Sequence, residues 1–434
     1  MSTLLDRTFE LNPAMLAAAI ELHQGGAVPS ATQMIDLDMI ADNARRTAAA
    51  ADQHGLRVYA MTKQNGLNPF MTKVMLECGI PSTCAVETLQ AHRIHRYGFP
   101  LGNVGHIQNI PAAQVPAVVA MRPEFITVYT YEAAQRVSAA ASRLGITQRL
   151  YVRVTNLAST GTPIVGVDDG AFSGLVGGWT EDTCVAGIRP LLNLPNVEVA
   201  GLTQFSAISY GETGDPSVVK PTEAFFTMLR AKELLERELG LRDLHLNVGG
   251  NANVGTFPVL ASYGVTEVEP GVSLAGSGGF HAKQDMAERP AQVVVTEVSH
   301  FWGDNVYTPG GVFSFVSDLY DPEPMSAAAG TDLDSARGCR IPYLYNQMVD
   351  AHGVFGAGAP MPAIGDTVLV VHHPQAFLER GYTAAVSGVS TGKPRVEGVF
   401  DAACNQLDEN FNVLPLQHTL GRLDAVGRYY RDEN

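Results

Sequence analysis

The sequence predicts an α/β fold: a (β/α)8 TIM barrel of parallel strands, followed by a C-terminal antiparallel β domain. Three observations predict it. From Arg57 to Glu269, short apolar runs bounded by turn-formers alternate with longer amphipathic stretches. They do so about eight times, the number that closes a parallel barrel. Beyond Pro290 the helices stop, while β-like runs separated by Gly and Pro continue. At 434 residues the chain is long enough for both parts. The expected divisions are a helical segment over 1–30, the barrel over 31–288 and the β domain over 289–434, with an insertion at about 321–362.

In order, the Ala- and Leu-rich stretch near 13–24 predicts a helix leading into Gly25-Gly26. Thr32–Asp38 alternates like a strand. It precedes the barrel count and fits either the barrel or the C-terminal sheet. Asp38–His54 reads as a helix. The barrel strands follow: a run ending at Met61, then Ser82–Ala85, Asn103–Ile107, Phe125–Tyr129, Arg149–Val154, Val197–Gln204, Leu244–Val248 and Thr266–Glu269. Helices fit between most of them. The glycine-rich stretch Asn156–Trp179 is expected as a long loop over the barrel mouth. In the β domain, strands are expected at Ala291–Val298, Val306–Val316, Thr367–Val371, Tyr382–Val389 and Arg395–Phe400. No internal repeat is expected.

Composition narrows the function. The chain is 46% hydrophobic and 17% charged, with a formal charge of -15. That balance fits a globular protein and disfavours nucleic acid or an anionic membrane surface as partner. Five scattered cysteines, none in a CxxC pair, fit a reducing compartment and give no zinc signature. MSTLLDRTFELNP lacks a basic n-region and an apolar core, and no apolar run reaches membrane-spanning length. A cytoplasmic location is the expectation.

Three stretches carry chemistry. In RVYAMTKQNG an apolar run stops at Thr62-Lys63 and a loop begins. Lys63 then sits at the carboxyl end of a barrel strand, where active sites are built. A lysine there can form a Schiff base with an aldehyde cofactor, or simply cap a strand. GGNANVG, at Gly249–Gly255, follows an apolar strand; its backbone N–H groups can cradle a phosphate, or its glycines can serve a tight turn. In VEPGVSLAG, Glu269 ends the last barrel strand, where a carboxylate needs a partner unless the turn is exposed.

Together these stretches resemble the fold-type III pyridoxal-phosphate enzymes, the alanine racemase-like superfamily, and within it the YhfX-like branch. IDLDMIADNARR, AVETLQAHRIHRYG and VEVAGLTQFSAI are similar to further landmarks of that family. The resemblance implies pyridoxal 5′-phosphate as cofactor, with Lys63 as its Schiff-base lysine. It implies that Gly250, Asn251, Ala252, Gly271 and Val272 bind the phosphate. Gln204 stands where the family often has a histidine beside the ring, and Leu67 replaces a tyrosine usual in alanine racemases. Glu269 stands where those racemases place an arginine and decarboxylases of this fold a glutamate. A carboxylate there favours a protonated ring nitrogen and a stronger electron sink.

The implied function is action at the α-carbon of an amino acid. A racemase or epimerase is the first reading, a decarboxylase or D-threonine aldolase-like lyase the second, and a non-catalytic pyridoxal-phosphate-binding protein the third. Tyr307, in GDNVYTPGG, is similar in position to the racemases' second base, supplied across a homodimer with shared active sites. His300 and Cys339 are other candidates for that face. A decarboxylase cysteine would be Cys339 or Cys404. His372 and His373 occur where aldolase-like relatives bind a divalent metal, but no cysteine sits two residues after either, and no metal is expected.

Overall fold

The computed structural model describes residues 3–156, 177–210, 219–310, 326–347, 352–372 and 381–432. The chain divides into two compact units. One is Ala48–Met61 with Ile80–Pro270; the other is Met1–Thr47, Thr62–Gly79 and Gly271–Asn434.

The first unit is a closed parallel barrel. Its strands are β2 (Arg57–Met61), β3 (Ser82–Ala85), β4 (Leu101–Val104), β5 (Phe125–Val128), β6 (Gln148–Arg153), β7 (Val197–Gln204), β10 (His245–Gly249) and β11 (Glu267–Glu269). The barrel closes where β11 pairs with β2, Glu267 opposite Arg57 and Val268 opposite Val58. A small hairpin, β8 (Ile208–Tyr210) with β9 (Val219–Pro221), branches off after β7. The connecting helices carry ordinary stop and start signals. Tyr131–Leu144 begins at Thr130, whose side chain accepts from Ala133 N, and ends at Gly145 in the left-handed region. Its Ala133, Ala134, Val137, Ala140 and Ala141 recur at helical spacing and are buried.

Inside the barrel, aromatic rings fill the layer nearest the amino ends of the strands. Phe125 stacks on Tyr151 at 3.9 Å, and Tyr59 packs with them. Glycines make the room: a Cβ on Gly102 would overlap the Tyr59 ring, and one on Gly201 would lie 2.9 Å from Tyr151. Alternation of bulky and small residues is how such a barrel becomes a packed core instead of a pore.

The second unit is built on an eleven-stranded sheet. β1 (Thr32–Asp36) lies in it, antiparallel to β12 (Gln292–Glu297) and parallel to β19 (Tyr382–Ser387). Of the two placements open to this strand, the sheet is the one realised. The remaining strands are β13 (His300–Trp302), β14 (Asn305–Pro309), β15 (Ser326–Gly330), β16 (Arg340–Gln347), β17 (His352–Phe355), β18 (Thr367–Val370), β20 (Arg395–Phe400) and β21 (Gln406–Leu407). Three of them, β15 to β17, come from the stretch expected as an insertion; its Gly and Pro residues hide the strand pattern. Helices Leu4–Leu11 and Pro13–Gln24 cover the sheet, burying Leu5, Phe9, Met15, Leu16 and Ile20 with Met34, Val293 and Leu369.

One expectation falls outside the described residues and one is overturned. The loop expected over Asn156–Trp179 lies, from 157 to 176, outside the described residues. And a short repeat is present after all, DAACNQL at 401–407 and DENFNVL at 408–414. In both copies the aspartate Oδ1 accepts two backbone N–H groups, two and four residues on, and the asparagine Nδ2 closes on Oδ2.

Helix Pro69–Glu77, which follows Lys63, is clamped by helix Leu416–Asp432. Arg431 Nε lies 2.6 Å from Glu77 Oε2, and Lys73 Nζ lies 2.7 Å from Glu77 Oε1. The Arg431 hydrogen bond, assisted by Lys73, holds the Glu77 carboxyl down to about 2. A depressed folded-state value means stability that is full above the unfolded carboxyl value and lost as pH falls toward 2. Glu77→Gln should therefore lower unfolding free energy by about 1–2 kcal/mol at neutral pH. The gap between variant and parent should close in acid, as read by urea unfolding across pH.

Candidate active site

β2 is apolar from Val58 to Met61 because it is buried on both faces, and Met61 N donates to Pro270 O at 2.9 Å. At Thr62 the chain leaves the strand. Lys63–Asn65 makes one tight helical turn, closed by Gly66 and Leu67 in the left-handed region. Asn68 then caps the following helix by accepting from Phe70 N and Met71 N.

The turn is pinned by side-chain amides. Gln33 Nε2 of β1 donates to Gln64 O at 3.1 Å and to Gln292 Oε1 of β12 at 2.5 Å. Asn65 Nδ2 donates to the same Gln292 oxygen, and Gln292 Nε2 donates to Ser277 Oγ at 2.7 Å. Cys404 Sγ donates to Gly66 O at 3.0 Å. Gly271 backs onto this turn; a Cβ there would lie 2.8 Å from the Gln64 amide. Val272 is buried and its carbonyl accepts from Ser277 N. Lys63 itself is half-buried, two residues past the carboxyl end of β2.

The barrel holds the second group of residues. Glu269, at the end of β11, has no solvent exposure in its side chain. Its Oε1 accepts from Asn103 Nδ2 of β4 at 2.8 Å and Asn247 Nδ2 of β10 at 3.0 Å. Each amide is oriented from behind: Thr127 Oγ1 donates to Asn103 Oδ1, and Thr203 Oγ1 donates to Asn247 Oδ1. His106 Nδ1 lies 2.8 Å from Glu269 Oε2. Burial by itself pushes the carboxyl up. The close approach of His106, with bonds from Asn103 and Cys84, outweighs it and holds the group below the usual carboxylate range.

Around this carboxylate stand donors without acceptors. Gln204, expected beside a ring, is fully buried; its Oε1 accepts from Phe205 N while its Nε2 has no partner among the described residues. Arg153, also fully buried, donates to Phe205 O at 3.0 Å, and its Nε has no partner there either. At the glycine turn the protein's own Ser206 packs closely against the backbone. Gly250 and Asn251 are both left-handed, and a Cβ on Gly250 would overlap Ser206 Oγ and come within 2.9 Å of Ser206 Cβ. Ala252 is buried beside them. Unsatisfied buried donors beside a glycine cradle fit an anionic ligand rich in acceptor oxygens, and a phosphorylated pyridoxal is such a ligand.

Other predicted residues are placed as follows. Tyr307 stands on β14 in the sheet unit, its ring stacked on His300 at 4.6 Å and edge-on to His352. Cys339 is buried in an apolar cluster and donates to Pro360 O, and burial pushes its thiol up. His372 is buried, and His373 lies outside the described residues. Among the described residues no group of three His, Cys, Asp or Glu side chains is set to hold a metal. Asn103, His106, Arg153 and Asn247 escaped the sequence reading. Their signal was a polar residue breaking an otherwise apolar strand or its carboxyl end, as in LYVRV and VGHIQN.

A closed parallel barrel with a lysine past its first strand, joined in one chain to an antiparallel sheet, defines the class of the alanine racemase-like pyridoxal-phosphate fold. The family described as alanine racemase, N-terminal domain, matches residues 35–278, and the chain belongs to it. Pyridoxal 5′-phosphate is the cofactor of this family. Over 401 residues the chain is 30% identical to the uncharacterised protein YhfX of Escherichia coli K12, covering 91% of this chain and 97% of that one. Solved structures share the fold. D-threonine aldolase from Filomicrobium marinum is 18% identical, covering 87% of this chain and 96% of its own, at a TM-score of 0.60. D-threo-3-hydroxyaspartate dehydratase from Delftia sp. HT23 is 16% identical, covering 86% and 97%, at 0.60. Alanine racemase of Clostridium difficile 630 is 12% identical, covering 86% and 98%, at 0.54. No described helix is long and apolar enough to cross a membrane.

Gly250→Ala tests the cradle. The added Cβ strains a left-handed residue and meets Ser206, so unfolding should become easier by about 1–2 kcal/mol. Cofactor affinity, followed by visible absorbance titration, should fall by about tenfold or more.

Proposed function

We propose that the protein is a pyridoxal-phosphate enzyme acting at the α-carbon of an amino acid, with racemisation or epimerisation as its reaction. One observation carries action at the α-carbon: a fully buried glutamate, Glu269, kept ionised at the carboxyl end of the last barrel strand; racemisation is placed first on the family match. When bound, pyridoxal 5′-phosphate supplies a sink for the electron pair released at Cα. Lys63 Nζ carries the cofactor and then takes or returns the Cα proton on one face. The Gly250–Ala252 turn, with Gly271 and Val272, holds the phosphate. Glu269 faces the ring nitrogen and keeps it protonated by charge pairing. Gln204 Nε2 donates to an acceptor at the ring's edge. Racemisation needs a proton donor on the opposite face, and the partner subunit's Tyr307 fills that role in a homodimer.

A lyase is the second reading, and Glu269 favours it. A strongly activated ring suits decarboxylation or retro-aldol cleavage as well as proton exchange. The aldolase and dehydratase structures that share the fold keep that chemistry in view.

Incubation with a panel of amino acids in deuterated water separates the readings. Solvent deuterium at Cα with both enantiomers is the expected result; release of carbon dioxide or an aldehyde assigns a lyase instead. Lys63→Ala should abolish the visible band of the bound cofactor and slow Cα exchange by about 10²–10⁴-fold. A wild-type band that no amino acid perturbs would mark a cofactor-binding protein without turnover. Sizing should find a dimer, and an active monomer would remove Tyr307 from its role.

A further inference from the structure

We infer that His106 is a positioning residue for the cofactor's ring, holding the Glu269 carboxylate in the orientation and ionised form that a protonated ring nitrogen requires. The inference rests on the proposed function and adds to it a residue outside the family landmarks found in the sequence.

The argument is one of donors and acceptors. An ionised carboxylate offers about four lone-pair sites. Oε1 of Glu269 receives both asparagine amides, and the threonines behind them fix each amide with its Nδ2 toward the carboxylate. Oε1 is thereby filled. Oε2 has one close protein neighbour, His106 Nδ1 at 2.8 Å, a contact of charge and proximity without the alignment of a hydrogen bond. The thiol of Cys84 also bonds the carboxylate, but a thiol is a weak donor and yields to a stronger one. Oε2 therefore has room for one more N–H, and a pyridinium ring supplies one. His106 decides how Oε2 is presented.

The histidine is itself held. Its carbonyl accepts from Tyr129 Oη at 2.9 Å and from Arg153 Nη1 at 3.4 Å. Its ring stands edge-on to Phe205, with centroids 5.7 Å apart. Glycine at 249 is required for this placement, since a Cβ there would lie 2.5 Å from His106 Nε2. Nδ1 is the ring nitrogen beside the carboxylate, and both ring nitrogens are buried without an aligned hydrogen bond among the described residues. The other titratable groups that sense Glu269 are Cys84, Arg153 of β6, Tyr129 and Tyr151. Beside Oε2 itself stands the His106 imidazole. Without it, the burial that pushes the carboxyl up loses its main opponent.

The test loads the full-length protein with cofactor labelled with ¹⁵N at the ring nitrogen and reads that nitrogen by NMR. His106→Asn keeps an N–H donor close to the position of Nδ1. His106→Gln displaces the donor, and His106→Leu removes it. Wild type and the asparagine variant should show the pyridinium resonance. The glutamine and leucine variants should move toward the unprotonated ring, with the visible band's pH midpoint displaced by about one unit or more. Should the leucine variant fail to fold or load, the asparagine–glutamine contrast decides alone. Loaded proteins with one common resonance overturn the role of His106 and leave the proposed function standing. A wild-type chain that takes up no labelled cofactor removes both.

Discussion

A carboxylate deprived of water inside a closed barrel constrains everything around it. Removing such an ion from solvent costs several kcal/mol unless N–H groups replace the lost hydration. Here the replacement is distributed over the wall of the barrel. β4 supplies Asn103, β5 Thr127, β7 Thr203, β10 Asn247 and β11 the glutamate itself. The arrangement depends on register. Asn247 stands opposite Thr203, and Gly249 opposite Glu269. A slip of one residue would turn Val248 inward and leave Glu269 unpaired, because side chains alternate with a period of two. The closure of the barrel and the ionisation of Glu269 are one constraint.

The strand that carries Glu269 also carries Glu267, two residues earlier, and the two carboxylates have been given different surroundings. Glu267 Oε1 lies 2.5 Å from His245 Nδ1, and Arg149 Nη2 lies 2.7 Å from His245 Nε2. Arg149 in turn covers the Phe125 ring. That chain of contacts runs outward to a histidine and an arginine that are both half-exposed, so it stabilises the amino end of the barrel in a conventional, screened way. Glu269, one layer up, meets amides and a histidine with no exposure at all.

Much of this could be read from the chain, and the limits have physical causes. The lysine strand, the glycine turn and the EPG turn were legible because each places a chemically distinct residue at an abrupt end of an apolar run. The eight barrel strands were legible because local alternation reports them. What pins Lys63 was not, since Gln33 and Gln292 approach it only through the sheet, 31 residues before Gln64 in one case and 227 after Asn65 in the other. β1 has the local pattern of either unit, and only its pairing with β12 and β19 decides. Asn103, Asn247 and Arg153 looked like chance polar breaks, because one sequence does not say that three strands aim them at a common point. The Asp-Asn repeat at 401–414 was present in the letters and passed unseen; its period is shorter than any helix–strand unit.

On the proposed reading, Glu269 narrows the chemistry without choosing the bond. An ionised partner for the ring nitrogen strengthens the electron sink equally for loss of a proton, of carbon dioxide or of an aldehyde. The choice falls to whichever bond stands perpendicular to the ring, and that is set by groups that grip the substrate. On that reading the two buried donors, Gln204 Nε2 and Arg153 Nε, are the informative ones. Gln204 Nε2 has its carbonyl end tied to Phe205 N, so it cannot flip to offer an acceptor. Arg153 is fixed through the Phe205 carbonyl. Both report to the single segment that follows β7. On the proposed reading, the electronics are set from β11 through Glu269, and the geometry from the end of β7, where Gln204 and Arg153 are both tied to Phe205.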